Sequence, residues 1–313
     1  MISIQNCILK PKLIIMCGLS ASGKSTIAKE FAEKENYEIV SSDAIRAEIC
    51  PGDVADQSMN DQVFKLYHQR ICGWLMVGRN VIADATNITL KSRRAIFEAV
   101  KDVDCEKIAY VMSKEVVNCV LDNVDREHSV PREVIDKQVS KFQIPFYEEG
   151  FDKILIHKTG QAPVDTSFFI NLAMRMKGFD QKTPHHTLDL YDHCEKAKRL
   201  FISKSGYIWT EYPKAAALHD VGKLFTQTFD ENGIAHYYNH ENEGAYYLLS
   251  NEKHFRAIGY ERDELLNILF LVNYHMMPFS WTSEKAHRKW KNRFGDQLYK
   301  LLLDFNECDR KAK

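Results

Sequence analysis

The sequence has no closely spaced pair of cysteines. Its eight cysteines are scattered singly along 313 residues, and none forms a Cys-x-x-Cys pair. That spacing argues against a zinc ribbon and against a thioredoxin-like redox site. A chain of this length does not need disulfides to form a stable core, so the isolated thiols favour a reducing compartment.

Long apolar runs and an excess of charge are missing too. The first residues, MISIQNCILKPK, lack the apolar core of a signal peptide, and no uncharged apolar stretch is long enough to cross a bilayer. The 42 Lys and Arg residues nearly balance the 43 Asp and Glu residues, for a formal net charge of -1. This balance disfavours a long basic groove for nucleic acid and leaves room for a local basic patch. We therefore expect a cytoplasmic protein that contacts few phosphates.

The pattern of apolar residues differs between the two halves of the chain. We predict five strands, at 12–17, 37–43, 80–87, 107–112 and 152–157. Helical stretches separate them, which is typical of a doubly wound α/β domain with a parallel sheet. Beyond the linker-like segment TGQAPVDTS (159–167), almost all the periodicity is helical. The sequence thus predicts an α/β domain over 1–160 followed by an all-α domain over 161–313.

Residues 18–26, GLSASGKST, match the phosphate-loop pattern G-x-x-x-x-G-K-[ST], with a predicted strand before them and a predicted helix after them. The two glycines allow a tight turn, and the backbone N–H groups that follow form an anion nest at the positive end of the helix. Lys24 can reach the β and γ phosphates, and Ser25 can ligate magnesium. We predict a site for ATP with Mg²⁺ formed by Gly18, Ser20, Ala21, Ser22, Gly23, Lys24, Ser25 and Thr26.

Asp43 and Arg46 lie where the second predicted strand ends, at the edge where open α/β sheets bind ligands. Their spacing of three residues places them on one face of a helix. An aspartate can take a hydroxyl proton while an arginine holds an anion, which suits phosphoryl transfer to an alcohol. The alternative is an N-cap aspartate and a surface arginine.

Histidines and aspartates recur on or beside the predicted helices of the second half. Facing helices of a bundle can bring such side chains together into a paired metal site. Nitrogen and oxygen ligands without a thiolate favour two divalent ions such as manganese, nickel, cobalt, iron or magnesium, and Asp220 has two oxygens with which to bridge them. The candidate ligands are His193, His219, Asp220, His240, His275 and Asp309.

Each of these residues also has an ordinary structural explanation. His240 could be a loop histidine, His275 a packed core histidine and Asp309 a solvated helix residue. Only their combination indicates a metal site.

The order of segments in the first half resembles the bacteriophage-type polynucleotide 5′-kinases and their close P-loop relatives. The segments are GLSASGKST, SSDAIR (41–46), VIADATN (81–87) followed by Arg93 and Arg94, DREHSVPREVI (125–135) and QIPFYEEGFDKI (143–154). The resemblance implies that Asp43 is the general base toward the 5′-hydroxyl and that Arg46 contacts the acceptor phosphate. It makes Asp84 the organiser of the acceptor site, and Arg126 the lid arginine that neutralises the transferring phosphoryl group.

TPHHTLDLYDH (183–193) and AAALHDVGK (215–223) resemble the signature segments of HD-superfamily phosphohydrolases. The resemblance implies a core ligand set and an additional pair found in two-metal members. The core set is His193, His219, Asp220 and Asp309, and the additional pair is His240 and His275.

Lys223 would lie beside the metals and grip a phosphate, as would His186. The alternatives are a lysine that satisfies helix C-terminal carbonyls and a turn histidine.

Together the two halves predict a bifunctional enzyme that heals nucleic-acid ends. The first would be an ATP-dependent polynucleotide 5′-hydroxyl kinase, and the second a metal-dependent 3′-phosphatase or 2′,3′-cyclic phosphodiesterase. The expected partners are the 5′-OH and 3′-phosphate ends of DNA or RNA and a nucleic-acid ligase. Two alternatives stay open: a nucleoside or small-molecule kinase fused to an HD nucleotide phosphohydrolase, and a non-catalytic regulator that senses nucleotides.

Overall fold

The computed structural model describes residues 10–50, 58–126, 129–157, 163–183, 187–206 and 210–313. His186 and part of the predicted linker lie outside these ranges.

Two compact units alternate along the chain. The first comprises Met1–Met112, Leu121–Val130 and Gly150–His157, and the second comprises Ser113–Val120, Pro131–Glu149 and Lys158–Lys313. This division differs from a single boundary near residue 160, because two segments of the first half belong to the second unit.

The first unit is an α/β layer structure. Its elements are β1 (Lys12–Cys17), α1 (Lys24–Glu35), β2 (Glu38–Ser41), α2 (Ser42–Ile49), α3 (Asn60–Met76), β3 (Val81–Asp84), α4 (Leu90–Ala99), β4 (Glu106–Met112) and β5 (Lys153–His157). The strands form one parallel sheet in the order β2-β3-β1-β4-β5. Residues of the central strand β1, such as Leu13 and Ile15, are fully buried, as expected for a parallel sheet with helices on its faces. The predicted doubly wound fold is confirmed.

The second strand is shorter than predicted. β2 ends at Ser41, and Asp43 lies in the first turn of α2 instead of ending the strand. The chain turns because the Ser41 side chain accepts a hydrogen bond from the Ala44 N–H and so caps the helix.

The second unit is almost entirely helical, as predicted. Its helices are α5 (Val116–Val124, which continues into the first unit), α6 (Arg132–Val139), α7 (Phe168–Met176), α8 (Leu190–Ser205), α9 (Tyr212–Leu218), α10 (Lys223–Thr226), α11 (His240–Ser250), α12 (Glu252–Ala257), α13 (Arg262–Tyr274) and α14 (Glu284–Lys311). Helix α9 packs against α8 and α13, while α11 packs against α13 and α14 against α8. None of the helices in the described ranges is long and apolar enough to cross a membrane.

Several local features in the described part of the second unit were not predicted, among them a 3-10 helix at Met277–Ser280. β6 (Thr228–Phe229) and β7 (Ala235–His236) form a small antiparallel hairpin. Strands of two residues are too short to leave a period in the sequence. A short 3-10 helix covers Tyr147–Glu149, and α14 is broken at Gly295, whose φ of 69° is outside the helical region.

Candidate functional site

The loop between β1 and α1 has the backbone of an anion nest. Gly23 has a φ of 93° and Ala21 a φ of 58°, so the chain turns sharply before α1. A methyl group at Gly18 would lie 2.7 Å from the Met112 Cβ, which explains why this position has no side chain. The first N–H groups of a helix point toward its N-terminus, so the start of α1 directs its positive end at this turn, as an anion site requires.

The predicted nucleotide residues lie together at this loop. The Lys24 ammonium donates to the Leu19 carbonyl at 2.6 Å and is largely buried, while Ser25 and Thr26 are exposed at the start of α1. The Ser25 hydroxyl donates to the Asp84 Oδ2 at 2.8 Å. The other loop residues, Ser20 and Ser22, lie between Leu19 and Gly23, and Ser22 is buried.

Asp84 ends β3 directly beside the loop. Burial raises the pKa of its carboxyl, while the hydrogen bond from Ser25 and the charge of Lys24 lower it. The charge of Asp43 raises this pKa further, and that of Arg126 lowers it. Asp84 therefore interacts electrostatically with each of Ser25, Lys24, Asp43 and Arg126, although Asp43 and Arg126 are themselves exposed.

Arg46 is buried, with 5% of its surface exposed, and its guanidinium donates to the Asn60 Oδ1 at 2.6 Å. Asn60 is the first residue of α3 and was not among the predicted site residues. No sequence signal distinguishes it, since its role depends on a contact across two helices.

Two further asparagines shape this end of the sheet. The Asn87 amide donates to the Met16 carbonyl at 2.9 Å and so ties the loop after β3 to β1. The Asn123 amide donates to the Val130 carbonyl at 2.7 Å and accepts from its N–H at 3.1 Å. These two hydrogen bonds hold Val130 beside Asn123.

In the second unit, the six predicted metal ligands converge. They come from five segments: α8, the turn after α9, the start of α11, the end of α13 and α14. All six are buried. They are His193, His219, Asp220, His240, His275 and Asp309.

The two oxygens of Asp220 face different pairs of imidazoles. Oδ2 lies 3.3 Å from the Nε2 atoms of both His193 and His219. Oδ1 lies 3.0 Å from the Nε2 of His240 and 3.5 Å from the Nε2 of His275. The carboxylate thus spans two groups of nitrogen donors, as a ligand that bridges two cations would.

Asp309 completes the first of these groups. Its Oδ1 lies 3.1 Å from the Nε2 of His193 and 3.4 Å from the Nε2 of His219. The cluster therefore has two halves that share Asp220. The four-residue half consists of His193, His219, Asp220 and Asp309, and the other half consists of Asp220, His240 and His275.

Backbone carbonyls orient all four imidazoles. The Nδ1 atoms of His219, His240 and His275 lie 2.8 Å from the carbonyl oxygens three residues before them, and that of His193 lies 3.3 Å from the Ala312 oxygen. A carbonyl only accepts, so each Nδ1 donates its proton to a carbonyl and each Nε2 is left facing a carboxylate oxygen, with a lone pair there whenever the ring is neutral. Lone pairs and carboxylate oxygens repel at these distances unless positive charge lies between them. The donor set therefore fits divalent cations, whose histidine ligands commonly donate the other ring N–H in this way.

The pKa shifts of His219 and Asp220 agree with a demand for positive charge, whereas burial lowers the pKa of His275. Burial lowers the pKa of His219, but the charges of Asp220 and Cys194 and the hydrogen bonds with Asp220 and Asp309 together outweigh it and hold the pKa well above the usual range. Burial likewise raises the pKa of Asp220, but the His219 and Lys223 charges hold it well below the usual range.

Lys223 lies at the edge of the cluster. Its ammonium is 2.7 Å from the Asp220 Oδ2 and donates to the Gln181 Oε1 at 2.9 Å. Gln181 is 1% exposed and was not predicted, because nothing in its local sequence marks it.

A close approach of two chain segments sets the distance between Asp220 and His240. A methyl group at Gly222 would lie 1.9 Å from the His240 carbonyl oxygen and 2.8 Å from the Gly244 nitrogen. Only glycine at position 222 lets the turn after α9 lie so near the start of α11.

Residues 13–145 match the family model described as AAA domain. The chain is also similar to the L-seryl-tRNA(Sec) kinase of Methanococcus maripaludis, with 29% identity over 145 residues, which are 45% of this chain and 56% of the relative. The chain thus spans about half the length of the curated relative that it matches. Its first half contains a P-loop kinase domain, for which ATP with Mg²⁺ is the implied cofactor.

Two solved structures are similar to part of the chain. The Pnkp1/Rnl/Hen1 RNA repair complex matches with 26% identity and a TM-score of 0.40, over 52% of this chain and 55% of that chain. A gluconokinase from Sinorhizobium meliloti matches with 17% identity and a TM-score of 0.35, over 49% of this chain and 85% of that chain.

Proposed function

We propose that this chain is a bifunctional, cytoplasmic enzyme that heals nucleic-acid ends. The first unit phosphorylates a 5′-hydroxyl with ATP, and the second removes a 3′-phosphate or opens a 2′,3′-cyclic phosphate before a ligase joins the ends. The observation that carries the proposal is the convergence of four imidazoles on the two oxygens of Asp220, in a chain that also has a P-loop kinase domain. One reaction adds a phosphate to the 5′ end and the other removes a phosphate from the 3′ end, and a broken strand needs both before ligation.

In the kinase reaction, the loop N–H groups and Lys24 hold the ATP phosphates. Ser25 would ligate the magnesium ion, and Asp84 orients the Ser25 hydroxyl by accepting its hydrogen bond at 2.8 Å. Asp43 takes the proton of the acceptor hydroxyl from its exposed position in the first turn of α2. Arg46 holds the acceptor phosphate and Arg126 neutralises the charge on the transferring group.

In the hydrolytic reaction, the four-residue half of the cluster and the Asp220–His240–His275 half would each hold one divalent ion. Such ions, when bound, act as Lewis acids on phosphate and water. Lys223 has 5% of its surface exposed and places its ammonium at this site, where it can bind a phosphate oxygen. Burial of all the ligands keeps these charges in a region of low dielectric, which strengthens their effect on a bound phosphate.

A second candidate differs in the acceptor of the kinase. The similarity to an L-seryl-tRNA(Sec) kinase favours an alcohol other than a 5′-hydroxyl, such as a seryl group on RNA or a small molecule. In that case the second unit would hydrolyse a free nucleotide.

One assay of the full chain separates these functions. Labelled ATP is offered with a 5′-OH oligonucleotide, a nucleoside and seryl-tRNA, and 3′-phosphate and 2′,3′-cyclic phosphate oligonucleotides are offered with each candidate metal. We expect label on the oligonucleotide and release of phosphate from its 3′ end. Label on the nucleoside or seryl-tRNA alone would favour the second candidate, and binding of ATP without any transfer or hydrolysis would favour a regulator.

Variants assign the activities to the two sites. Lys24→Ala should abolish phosphoryl transfer and keep hydrolysis, and Asp220→Ala should do the reverse. Lys29→Ala, on the same helix as Lys24, and Asp296→Ala are matched controls at exposed positions. Loss of both activities in either single-site variant would contradict the assignment of one reaction to each unit.

A further inference from the structure

An extended stretch of the first half of the sequence lies in the core of the second unit. Phe142, Ile144 and Phe146 are buried, and they follow α6 without forming a strand of the sheet. The Phe142 ring packs edge-to-face on Tyr246 of α11, and the Phe146 ring packs on Phe270 of α13. The polar backbone of this stretch must find partners in the same apolar surroundings.

Asn273 supplies two of those partners, and the Tyr274 hydroxyl supplies a third by donating to the Ile144 carbonyl at 3.0 Å. The Asn273 Oδ1 accepts the Ile144 N–H at 2.6 Å, and its Nδ2 donates to the Phe142 carbonyl at 3.1 Å. The side-chain amide therefore pairs with one backbone N–H and one backbone carbonyl of this stretch, as a neighbouring strand would. Asn273 is 2% exposed and lies 129 residues from Ile144 in the sequence.

Asn242 continues the same network. Its Oδ1 accepts a second hydrogen bond from the Asn273 Nδ2 at 2.9 Å, and its own Nδ2 donates to the Ser140 carbonyl at 2.8 Å. The two asparagines thus join α11 to α13 and bind backbone groups of residues 140, 142 and 144 in turn.

Both asparagines lie two residues from a predicted metal ligand. Asn242 follows His240 at the start of α11, and Asn273 precedes His275 at the end of α13. These two histidines form the half of the cluster that faces Asp220 Oδ1, with their Nε2 atoms 3.4 Å apart. The remaining ligands are on α8, the turn after α9 and α14, and neither asparagine is on those elements.

We propose that Asn242 and Asn273 are positioning residues for the His240–His275 half of the metal centre. By binding the backbone of residues 140–144, they fix the start of α11 against the end of α13 and so set the spacing of the two imidazoles. The inference rests on the proposed function, since it assigns a role within the same site. It also makes a stretch of the first half of the sequence part of the framework of the hydrolytic site.

The test measures Co²⁺ binding to the metal-depleted full chain, by visible absorption and calorimetry. The wild-type chain should take two ions. Asn273→Ala removes the hydrogen bonds to Phe142, Ile144, Asn242 and the Glu241 carbonyl. It should weaken the second binding step roughly 10- to 100-fold while the first step keeps its affinity. Asn242→Ala leaves the pairing with Phe142 and Ile144 intact and should have a smaller effect.

Asn267→Ala is the matched control on α13. Its side chain donates to the Glu211 Oε1 at 2.6 Å, so this variant loses a hydrogen bond remote from residues 140–144. It should lower the melting temperature without changing either binding step. If Asn273→Ala does not fold, Asn242→Ala decides the question alone.

The proposal would be overturned if either asparagine variant weakened both Co²⁺ binding steps equally, or if neither variant changed any step. It would also be overturned if the wild-type chain bound fewer than two ions. Two ions in the wild-type chain without any phosphate release would refute the proposed hydrolysis and leave the positioning role standing.

Discussion

Ser25 and Asp84 are 59 residues apart in the sequence and are joined by a hydrogen bond of 2.8 Å. Only the parallel pairing of β1 with β3 brings the two residues to the same edge. The carboxyl is costly to bury, since burial raises its pKa, and Lys24 and Ser25 offset that cost. A charge kept in such a place is expected to serve the reaction more than the stability of the fold.

Asp84→Asn tests this expectation. The amide oxygen can still accept from Ser25, but the negative charge is lost. We expect kcat for phosphoryl transfer to fall roughly 100-fold, because one electrostatic group of an active site is typically worth that much. The melting temperature should stay the same or rise, since a buried charge is removed. An unchanged kcat would rule out a role for the Asp84 charge in the reaction.

His254 gives a residue-level test of pH dependence. Its ring stacks on Phe168 with centroids 4.2 Å apart, and its Nε2 accepts the Asp165 N–H at 3.3 Å. Burial lowers the pKa of His254, and the charge of Lys253 lowers it further. The folded chain therefore keeps this ring neutral at a pH at which the unfolded chain, with a histidine pKa of about 6.5, takes up a proton.

Proton linkage determines whether the free energy of unfolding rises or falls with pH. The contribution of the neutral ring is complete above the unfolded-state pKa and is lost as the pH falls through it, because the unfolded state then binds more protons. Between about pH 7.5 and about pH 5.5, the free energy of unfolding should drop more in the wild-type chain than in His254→Gln, which keeps an acceptor for Asp165. Denaturant titrations at both pH values measure this difference, and parallel losses in the two proteins would contradict it.

Among the elements, the short α10 shows how packing governs a site. Its approach to α11 depends on the space at Gly222, whose φ of -62° is ordinary for any residue. Position 222 therefore requires glycine for a steric reason, because a larger side chain would collide with the backbone of α11. The sequence segments HDVGK and HENEGA each contain one of the two glycines that meet here.

Gly222→Ala should destabilise the second unit by about 3 kcal/mol, near the upper range for a methyl group forced into a packed contact. It should also weaken metal binding, because α11 carries His240 away from Asp220. Gly73→Ala in α3 is the control, since a methyl group there has no atom within 4 Å, and about 1 kcal/mol of stabilisation is expected. Thermal unfolding and Co²⁺ titration measure both effects. Equal stability of the two variants would exclude the steric explanation.

Most elements were predictable because their signals are local. Buried strands appear as short apolar runs, and the long helices show their period over several turns. The prediction was wrong about the end of β2, where a serine cap overrode the apolar run, and about the end of β3, which stops at Asp84 instead of residue 87. It also missed the two-residue strands β6 and β7.

For the molecule as a whole, the alternation of the two units has a consequence for stability. A fragment that starts at residue 161 lacks Phe142, Ile144 and Phe146, which are buried in the second unit. Burying side chains of this size contributes about 1.5 to 3 kcal/mol each, so roughly 5 to 9 kcal/mol would be lost. This is comparable to the whole stability of an ordinary domain.

We therefore expect the 161–313 fragment to lack fixed tertiary structure, with weak near-UV circular dichroism and no cooperative melting transition. A 113–313 fragment contains every segment of the second unit and should melt cooperatively and bind Co²⁺. Cooperative melting of the shorter fragment would show that the early segments are dispensable.

The linear sequence was enough to locate the phosphate loop, to divide the chain into an α/β part and a helical part, and to nominate six candidate ligands. These features are encoded by neighbouring residues, through glycine geometry, strand-loop-helix order and helical period. Tertiary structure alone decided that Asp220 faces two pairs of imidazoles, that carbonyls orient each ring, and that Asn273 binds a segment 129 residues away. Such contacts depend on distances between remote segments, for which a single sequence carries no local signal.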